Sequence, residues 1–109
     1  MRTIPERDWK LLRSMKPRVL SEACARILDA VESVVKTREK GNHETYLAVW
    51  NLLNKEDASI AFMFDDFKRS TGFFKLAAWQ RHGLVSESDL ALFTEETRNI
   101  VKAINENLQ

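Results

Sequence analysis

A carboxylate in the middle of an apolar helical stripe is the residue whose type and position could do chemistry in this sequence. Asp57 lies four residues after Leu53 and three before Ile60, so helical spacing places it on the apolar face of its segment. A buried carboxylate is costly unless it has a partner, and such groups concentrate at functional sites. One hypothesis is therefore a small-ligand or catalytic pocket formed by Asp57, Trp50 and Tyr46.

Two structural explanations account for Asp57 without any function, and we prefer them. Its carboxylate could pair with a basic side chain such as Arg13 or Arg38. It could instead cap a helix break near residues 54–57, because Asp readily bonds the backbone at a helix start.

The other reactive residue types lack the spacing that catalysis or metal binding requires. His43 and His82 belong to no zinc or di-iron motif, and Cys24 has no base at a recognisable distance along the chain. The sequence also contains no glycine-rich phosphate loop and no nucleophile elbow. We therefore expect no catalytic residue, no bound metal, no cofactor and no enzymatic activity.

Large apolar side chains are more numerous in the middle of the chain than one helical face can hide. Phe62 falls on the same side as Glu44 and Lys55, away from the apolar arc of its segment. Either the fold wraps this helix on several sides, or a second chain covers it. The candidate interface comprises five residues of this region: Phe62, Met63, Phe73, Phe74 and Trp79.

Basic side chains cluster near the start of the chain. Residues 1–18 hold six basic and two acidic side chains, whereas the whole chain has a net charge of +1. A basic patch of Arg7, Lys10, Arg13 and Arg18 could bind nucleic acid weakly, and this is our third hypothesis. We prefer the structural explanation, in which this segment docks on the acidic remainder of its own fold, because nucleic-acid modules usually have a domain-wide basic excess.

Helical periodicity extends over nearly all of the 109 residues, which include only 3 Gly and 2 Pro. Five helical segments are predicted, at about 4–15, 17–40, 43–69, 71–82 and 87–108, with a possible restart at Thr94. Gly83 should end the fourth segment, and Ser86, at capping distance from Asp89, should start the fifth. Pro17 should separate the first two segments, because the residue before a proline disfavours helix. Segment 17–40 has an apolar arc of about half its circumference, wider than the roughly 100° of a surface helix. It should therefore have more than one neighbour.

These patterns predict an all-α fold: a compact single domain of about five helices, spanning residues 1–109. Segments 17–40 and 43–69 should form a long central antiparallel hairpin around Gly41, the second as one helix unless it breaks near residues 54–57. The lone cysteine and the lack of a leader or a membrane-length apolar run indicate a cytoplasmic protein. The function we favour is a protein–protein interaction module, through self-association or with another protein.

Overall fold

The computed structural model describes residues 3–108, and within this range it contains helices and no β-strand. The all-α prediction is therefore confirmed. In chain order the elements are α1 (Glu6–Thr37), α2 (Asn42–Phe64), a 3₁₀ turn (Arg69–Thr71), α3 (Gly72–Arg81), α4 (Glu87–Leu90) and α5 (Glu95–Asn107). No helix in the described range is both long enough and apolar enough to cross a membrane.

Helix α1 runs without a break through Pro17, where the sequence predicted a boundary between two helices. That prediction was wrong because buried side chains keep one helical phase on both sides of the proline. Pro17 itself lies on the exposed side of the helix. The packing of the flanking turns therefore outweighs the cost of an interior proline, which is about 3 kcal/mol. The buried residues that continue across it are Leu12, Met15, Val19 and Ala23.

Helices α1 and α2 form the expected antiparallel hairpin, with a shorter second helix than predicted. Arg38 takes the left-handed conformation after α1, with φ of 42°, and Gly41 follows with φ of 92°. Helix α2 is continuous across residues 54–57, as we favoured, but it ends at Phe64 and not near residue 69. The chain turns at Asp66, whose φ is 52°.

Helix α3 determines where α2 ends. Lys75 Nζ donates a hydrogen bond to the Phe62 carbonyl at 2.6 Å, and Trp79 Nε1 donates to the Met63 carbonyl at 3.3 Å. These donors satisfy carbonyl groups that the last turn of a helix leaves without a backbone partner. Because the donors are distant in sequence, the periodicity of α2 alone cannot indicate this end.

The hydrophobic core lies at one end of the molecule, which we call the head (residues 3–23 and 61–108). Trp79 is completely buried at its centre, with its ring 5.8 Å from Phe64 and 5.9 Å from Phe67. The first half of α1 covers one side of this core, and α5 packs against α3 on the other. Residues 24–60, the remainder of the hairpin, extend away from the head and are called the arm, so that the molecule measures 51 × 23 × 22 Å.

The last third of the chain follows the predicted capping signals. Gly83 has φ of 67°, and the Leu84 N–H donates to the Trp79 carbonyl at 2.9 Å, as expected for a glycine that ends a helix. The Ser86–Asp89 capping box is present. Thr94 starts a new helix, so the predicted final segment is two helices, α4 and α5. Because the first two predicted segments are merged, residues 3–108 still contain five α-helices.

Candidate functional site: an apolar face on the arm

Beyond the junction with the head, where Arg26 and Ile60 contact it, the two helices of the arm pack mainly against each other, so the arm cannot bury all of its apolar side chains. Large apolar residues on it are strongly exposed: Leu28 at 63%, Tyr46 at 65% and Trp50 at 58%. Side chains on the seam between the two helices, such as Ile27 and Leu52, are only half-buried. The arm is therefore stabilised by far less apolar burial than the head.

These exposed side chains lie on one side of the arm. On each helix they recur at intervals of three and four residues, which form a stripe along one flank. The two stripes border a common groove of about 510 Å³, whose lining includes Cys24, Leu28, Trp50, Leu53 and Asp57. We call the two stripes together the apolar face, and it comprises Cys24, Leu28, Val31 and Val35 of α1 and Tyr46, Trp50, Leu53 and Asp57 of α2.

The opposite side of the arm is mixed in character. A shallow cleft there is lined by polar residues and the turn, and also by the apolar residues Val34, Leu47 and Ala48. Leu47 is only 36% exposed, so the most exposed large apolar side chains of the arm lie on the other side, in the apolar face. Such an uneven distribution is the arrangement expected of a surface that another chain covers.

The predicted pocket around Asp57 does not exist as an enclosed site, and the expectation that Asp57 is buried was wrong. Asp57 is exposed at the edge of the groove, and helix α2 continues through it. It pairs with neither predicted arginine: Arg38 donates to the Val35 carbonyl and to Asn42 Oδ1, and Arg13 lies over the Trp9 ring in the head. Trp50 lines the same groove, whereas Tyr46 is 11 residues from Asp57, about 16 Å along the helix.

The predicted interface is mostly internal. Met63, Phe73 and Trp79 are buried in the head and offer no contact surface, and Phe74 is half-buried. Only Phe62 is strongly exposed, at 55%, with Lys75 Nζ 5.4 Å from its ring centre. In this region the fold itself covers the apolar surplus, because α3 and the loop after α2 wrap the end of the helix. A second chain is not needed to cover it.

The four residues of the predicted basic patch each have a partner within the described part of the fold. Arg7 donates to the Leu92 carbonyl, and Lys10 pairs with Glu6 at 3.7 Å.

The remaining two basic residues of this set also have local partners. Arg13 lies 5.9 Å above the Trp9 ring, and Arg18 pairs with Asp89 at 3.2 Å. The Arg7 and Arg18 contacts favour the structural explanation, because they hold α1 against other parts of the head, whereas the partners of Lys10 and Arg13 lie on α1 itself.

A second cleft, of about 250 Å³, lies where the arm meets the head. Arg26 lines this cleft, but its guanidinium already bonds the protein itself. It donates to the carbonyls of His82 and Gly83 at 2.7 and 2.8 Å. Arg26 Nε also pairs with Glu22 at 3.2 Å. This guanidinium therefore caps the end of α3 and fastens the arm to the head. Within the described range, no three His, Cys, Asp or Glu side chains are grouped closely enough to hold a metal ion.

The apolar face combines residues that the sequence had assigned to different roles. Tyr46, Trp50 and Asp57 were candidates for a pocket, and Leu28 belongs to segment 17–40, whose apolar arc was expected to pack against more than one neighbour. The signal that could have identified the face is the apolar arc of α1, which is too wide for a helix with one neighbour. Comparison with family models, with curated proteins and with solved structures gives no significant match for this chain.

Proposed function

We propose that this protein is a protein–protein interaction module and that the apolar face of the arm binds a helical partner. The observation that carries the proposal is the exposure of Leu28, Tyr46 and Trp50 along one side of a two-helix arm. The uneven exposure supports it, because Leu47 of the opposite cleft is only 36% exposed, whereas these three side chains are each more than half exposed.

The exposed apolar area supports binding over chance exposure. An aromatic side chain buries about 150–250 Å² when fully enclosed. Tyr46 and Trp50 are each more than half exposed, so together they present on the order of 250 Å². The aliphatic residues of the face increase this area to several hundred Å², which is the size at which exposed patches usually mark a contact surface.

The shape and charge of the groove define the chemistry of the partner. Its walls are two antiparallel helices, and Asp57 carries the one charge among its described lining residues. A groove between helices receives the apolar residues of an amphipathic helix at intervals of three and four residues. We therefore expect an α-helical partner with an apolar stripe, and aromatic anchors such as Trp50 should dominate the binding energy.

Cys24 provides a direct test because its exposed thiol lies in the groove. In dilute purified protein, the groove is open and a maleimide should label Cys24 at the rate of an unprotected thiol. In intact cells that produce the protein, a bound partner should slow this labelling by at least about tenfold.

A matched variant separates protection by a partner from other causes. Trp50→Glu places a charge in the groove but leaves the head intact, so labelling of Cys24 in cells should return to the unprotected rate. Ala48→Glu, on the other side of α2, should leave the protection unchanged. Equal labelling rates in cells and in dilute protein would refute the proposed function.

A further inference from the structure

We propose that the partner is a second copy of this chain, packed antiparallel against the first so that the two arms form a four-helix bundle. This inference depends on the proposed function, since it names the occupant of the same apolar face. Two helical hairpins that stack their apolar sides make a standard bundle core. The spacing of residues on the face indicates this particular arrangement.

Both stripes of the apolar face are symmetric about the same point of the arm. The α1 stripe is centred between Leu28 and Val31, and the α2 stripe is centred between Trp50 and Leu53. Leu28 and Leu53 line the same groove, so the two centres lie at about the same height along the hairpin. A two-fold axis through both centres therefore stacks each stripe on its own copy in antiparallel order.

This axis places complementary residues opposite each other. Leu28 meets Val31 of the second copy, and Trp50 meets its Leu53, each contact occurring twice by symmetry. A large side chain thus faces a smaller one at the central levels of the α2 stripe. Such alternation lets facing helices interdigitate at interior packing density.

The same axis supplies a partner for the one charge on the apolar face. Tyr46 and Asp57 lie at opposite ends of the α2 stripe and are too far apart to bond within one chain. In the antiparallel pair, the Tyr46 hydroxyl of one copy lies opposite the Asp57 carboxylate of the other and can donate a hydrogen bond to it. A parallel pair would instead place Asp57 against Cys24 of the second copy. Because an unpartnered buried carboxylate is costly, the antiparallel order is favoured.

The charge at the edge of the face limits how far the two copies can slide. Glu32 follows Val31 on the outer edge of α1, where it is exposed, and the nearest residue of the second copy on that edge is the small, exposed Ala25. The Glu32 side chains of the two copies are then offset by five residues, about 7 Å along the helix axis.

If the second copy were shifted by about one helical turn toward the hairpin turn, the offset between the two Glu32 side chains would be lost. This shift would bring the two Glu32 side chains nearly level, so that like charges face each other. It would also remove Asp57 from Tyr46 of the second copy and leave that carboxylate without its donor. The symmetric register is therefore favoured over this shifted one.

The area available is sufficient for a specific dimer. The face is about 25 Å long and two helix diameters wide, which corresponds to on the order of 500 Å² per copy. The total of about 1,000 Å² reaches the lower range of specific interfaces. We therefore expect a dimer with a dissociation constant in the micromolar range, and not a permanently associated one.

Cross-linking between two single-cysteine variants tests the antiparallel arrangement. In a Cys24→Ser background, one variant carries Tyr46→Cys and the other carries Asp57→Cys. When the two are mixed, a short bis-maleimide should join them, because these positions face each other across the interface. Each variant alone should cross-link at least about tenfold more slowly, since its thiol and the symmetric thiol are about 16 Å apart. Equal cross-linking in the mixture and in either variant alone would overturn the arrangement.

Sedimentation equilibrium tests the identity of the partner. The purified wild-type chain should be dimeric at micromolar concentration, and Trp50→Glu should raise the dissociation constant at least about 100-fold. Ala48→Glu serves as the matched control and should leave it unchanged. Circular dichroism should show full helicity in both variants.

Charges introduced at Ala25 test the register by the same measurement. Ala25→Arg sets a positive charge against Glu32 of the second copy and should lower the dissociation constant, whereas Ala25→Glu should raise it. In a Glu32→Ala background, the difference between the two substitutions should shrink, because the facing charge has been removed.

The outcomes distinguish this inference from the proposed function. A wild-type chain that stays monomeric at high concentration, although Cys24 is protected in cells, would overturn the second copy as partner and leave the interaction module intact. Equal dimer affinities of Ala25→Arg and Ala25→Glu would overturn the register.

Discussion

At the scale of single residues, Asp8 is the most informative side chain of the head. It is fully buried and accepts hydrogen bonds from the Thr94 N–H at 3.1 Å and the Thr94 hydroxyl at 2.6 Å. The Thr97 hydroxyl also donates to it. A carboxylate near the first turn of α5 is favoured by the helix dipole. Asp8 therefore connects the start of α1 to the start of α5 across 86 residues of sequence.

Replacement of Asp8 by Ala should destabilise the protein by about 2–3 kcal/mol, because the buried Thr97 hydroxyl and the half-buried Thr94 hydroxyl would lose their acceptor. Urea unfolding measures this free energy. Glu6→Ala, an exposed acid on the same helix turn, is the control and should change stability by less than about 0.5 kcal/mol. Equal effects of the two substitutions would show that the Asp8 bonds contribute nothing to stability.

Asp89 makes the stability of the head sensitive to acid. The Ser86 backbone N–H, which donates to Asp89 Oδ2 at 2.9 Å, lowers the pKa of Asp89 below its usual value, and the Ser86 hydroxyl and Arg18 act in the same direction against the effect of burial. A lowered folded pKa means that the stabilisation is complete above the unfolded pKa of about 3.9. It is lost as the pH falls through the folded pKa.

Asp89→Ala should therefore be less stable than the wild type at neutral pH, by about 1 kcal/mol for a lost cap. This difference should shrink as the pH falls from about 4, where Asp89 of the unfolded chain is protonated, through the lower pKa of the folded carboxylate. Urea unfolding over a pH series gives the measurement. A difference that stays constant down to acidic pH would mean that the charge of Asp89 contributes nothing.

At the scale of helices, Pro17 tests whether α1 behaves as one helix. Because Pro17 is an interior residue of α1, it removes a backbone hydrogen bond and its ring crowds the preceding turn. Pro17→Ala should stabilise the protein by about 1–3 kcal/mol, less than the full proline penalty because the unfolded chain gains freedom. Thermal and urea unfolding measure the gain, and Ser21→Ala on the same exposed side should have little effect. A neutral or destabilising Pro17→Ala would mean that the helix bends at this point.

Helix starts and stops could be predicted from the sequence where a local residue produces them. Gly83, Ser86 and Thr94 were identified as capping residues, and each acts as one in the structure. The predictions failed where distant contacts decide. The break at Pro17 is overridden by packing against the head, and the end of α2 is set by donors from α3, including Lys75.

The candidate site could be predicted only in part, for a similar reason. The sequence indicated that Tyr46, Trp50 and Asp57 share one stripe and that apolar residues are in surplus. It could not indicate which stretch remains uncovered, because that depends on where α3 packs. Helix α3 covers Met63 and leaves Trp50 open, so the exposed surface lies about three turns earlier in α2 than predicted.

At the scale of the whole molecule, the arm and the head should differ in local stability. The arm buries few apolar side chains, whereas Leu76, Ala77 and Trp79 of α3 are completely buried. Regions with little apolar burial open at lower free energy than the core. Amides of residues 28–35 and 46–53 should therefore exchange hydrogen faster than those of α3 in dilute protein.

Concentration should change this pattern if the arm is covered by a second copy. Exchange in the arm should slow as the protein concentration rises, because association stabilises the folded arm. Mass spectrometry of exchanged peptides gives the comparison, and Trp50→Glu should remove the concentration dependence. Arm amides that exchange as slowly as α3 in dilute protein would contradict the division into head and arm.

The uninterrupted course of α1 has a mechanical consequence. One helix of 32 residues, about 48 Å long, spans nearly the full length of the molecule, from Asp8 to the hairpin turn. Because the helix is uninterrupted, a tilt at one end is transmitted to the other. Arg26 fixes its position where α1 leaves the head, through its bonds to the His82 and Gly83 carbonyls. A force applied by a partner at the hairpin turn is therefore transmitted along α1 to the buried Asp8 and to α5, the helix that Asp8 bonds.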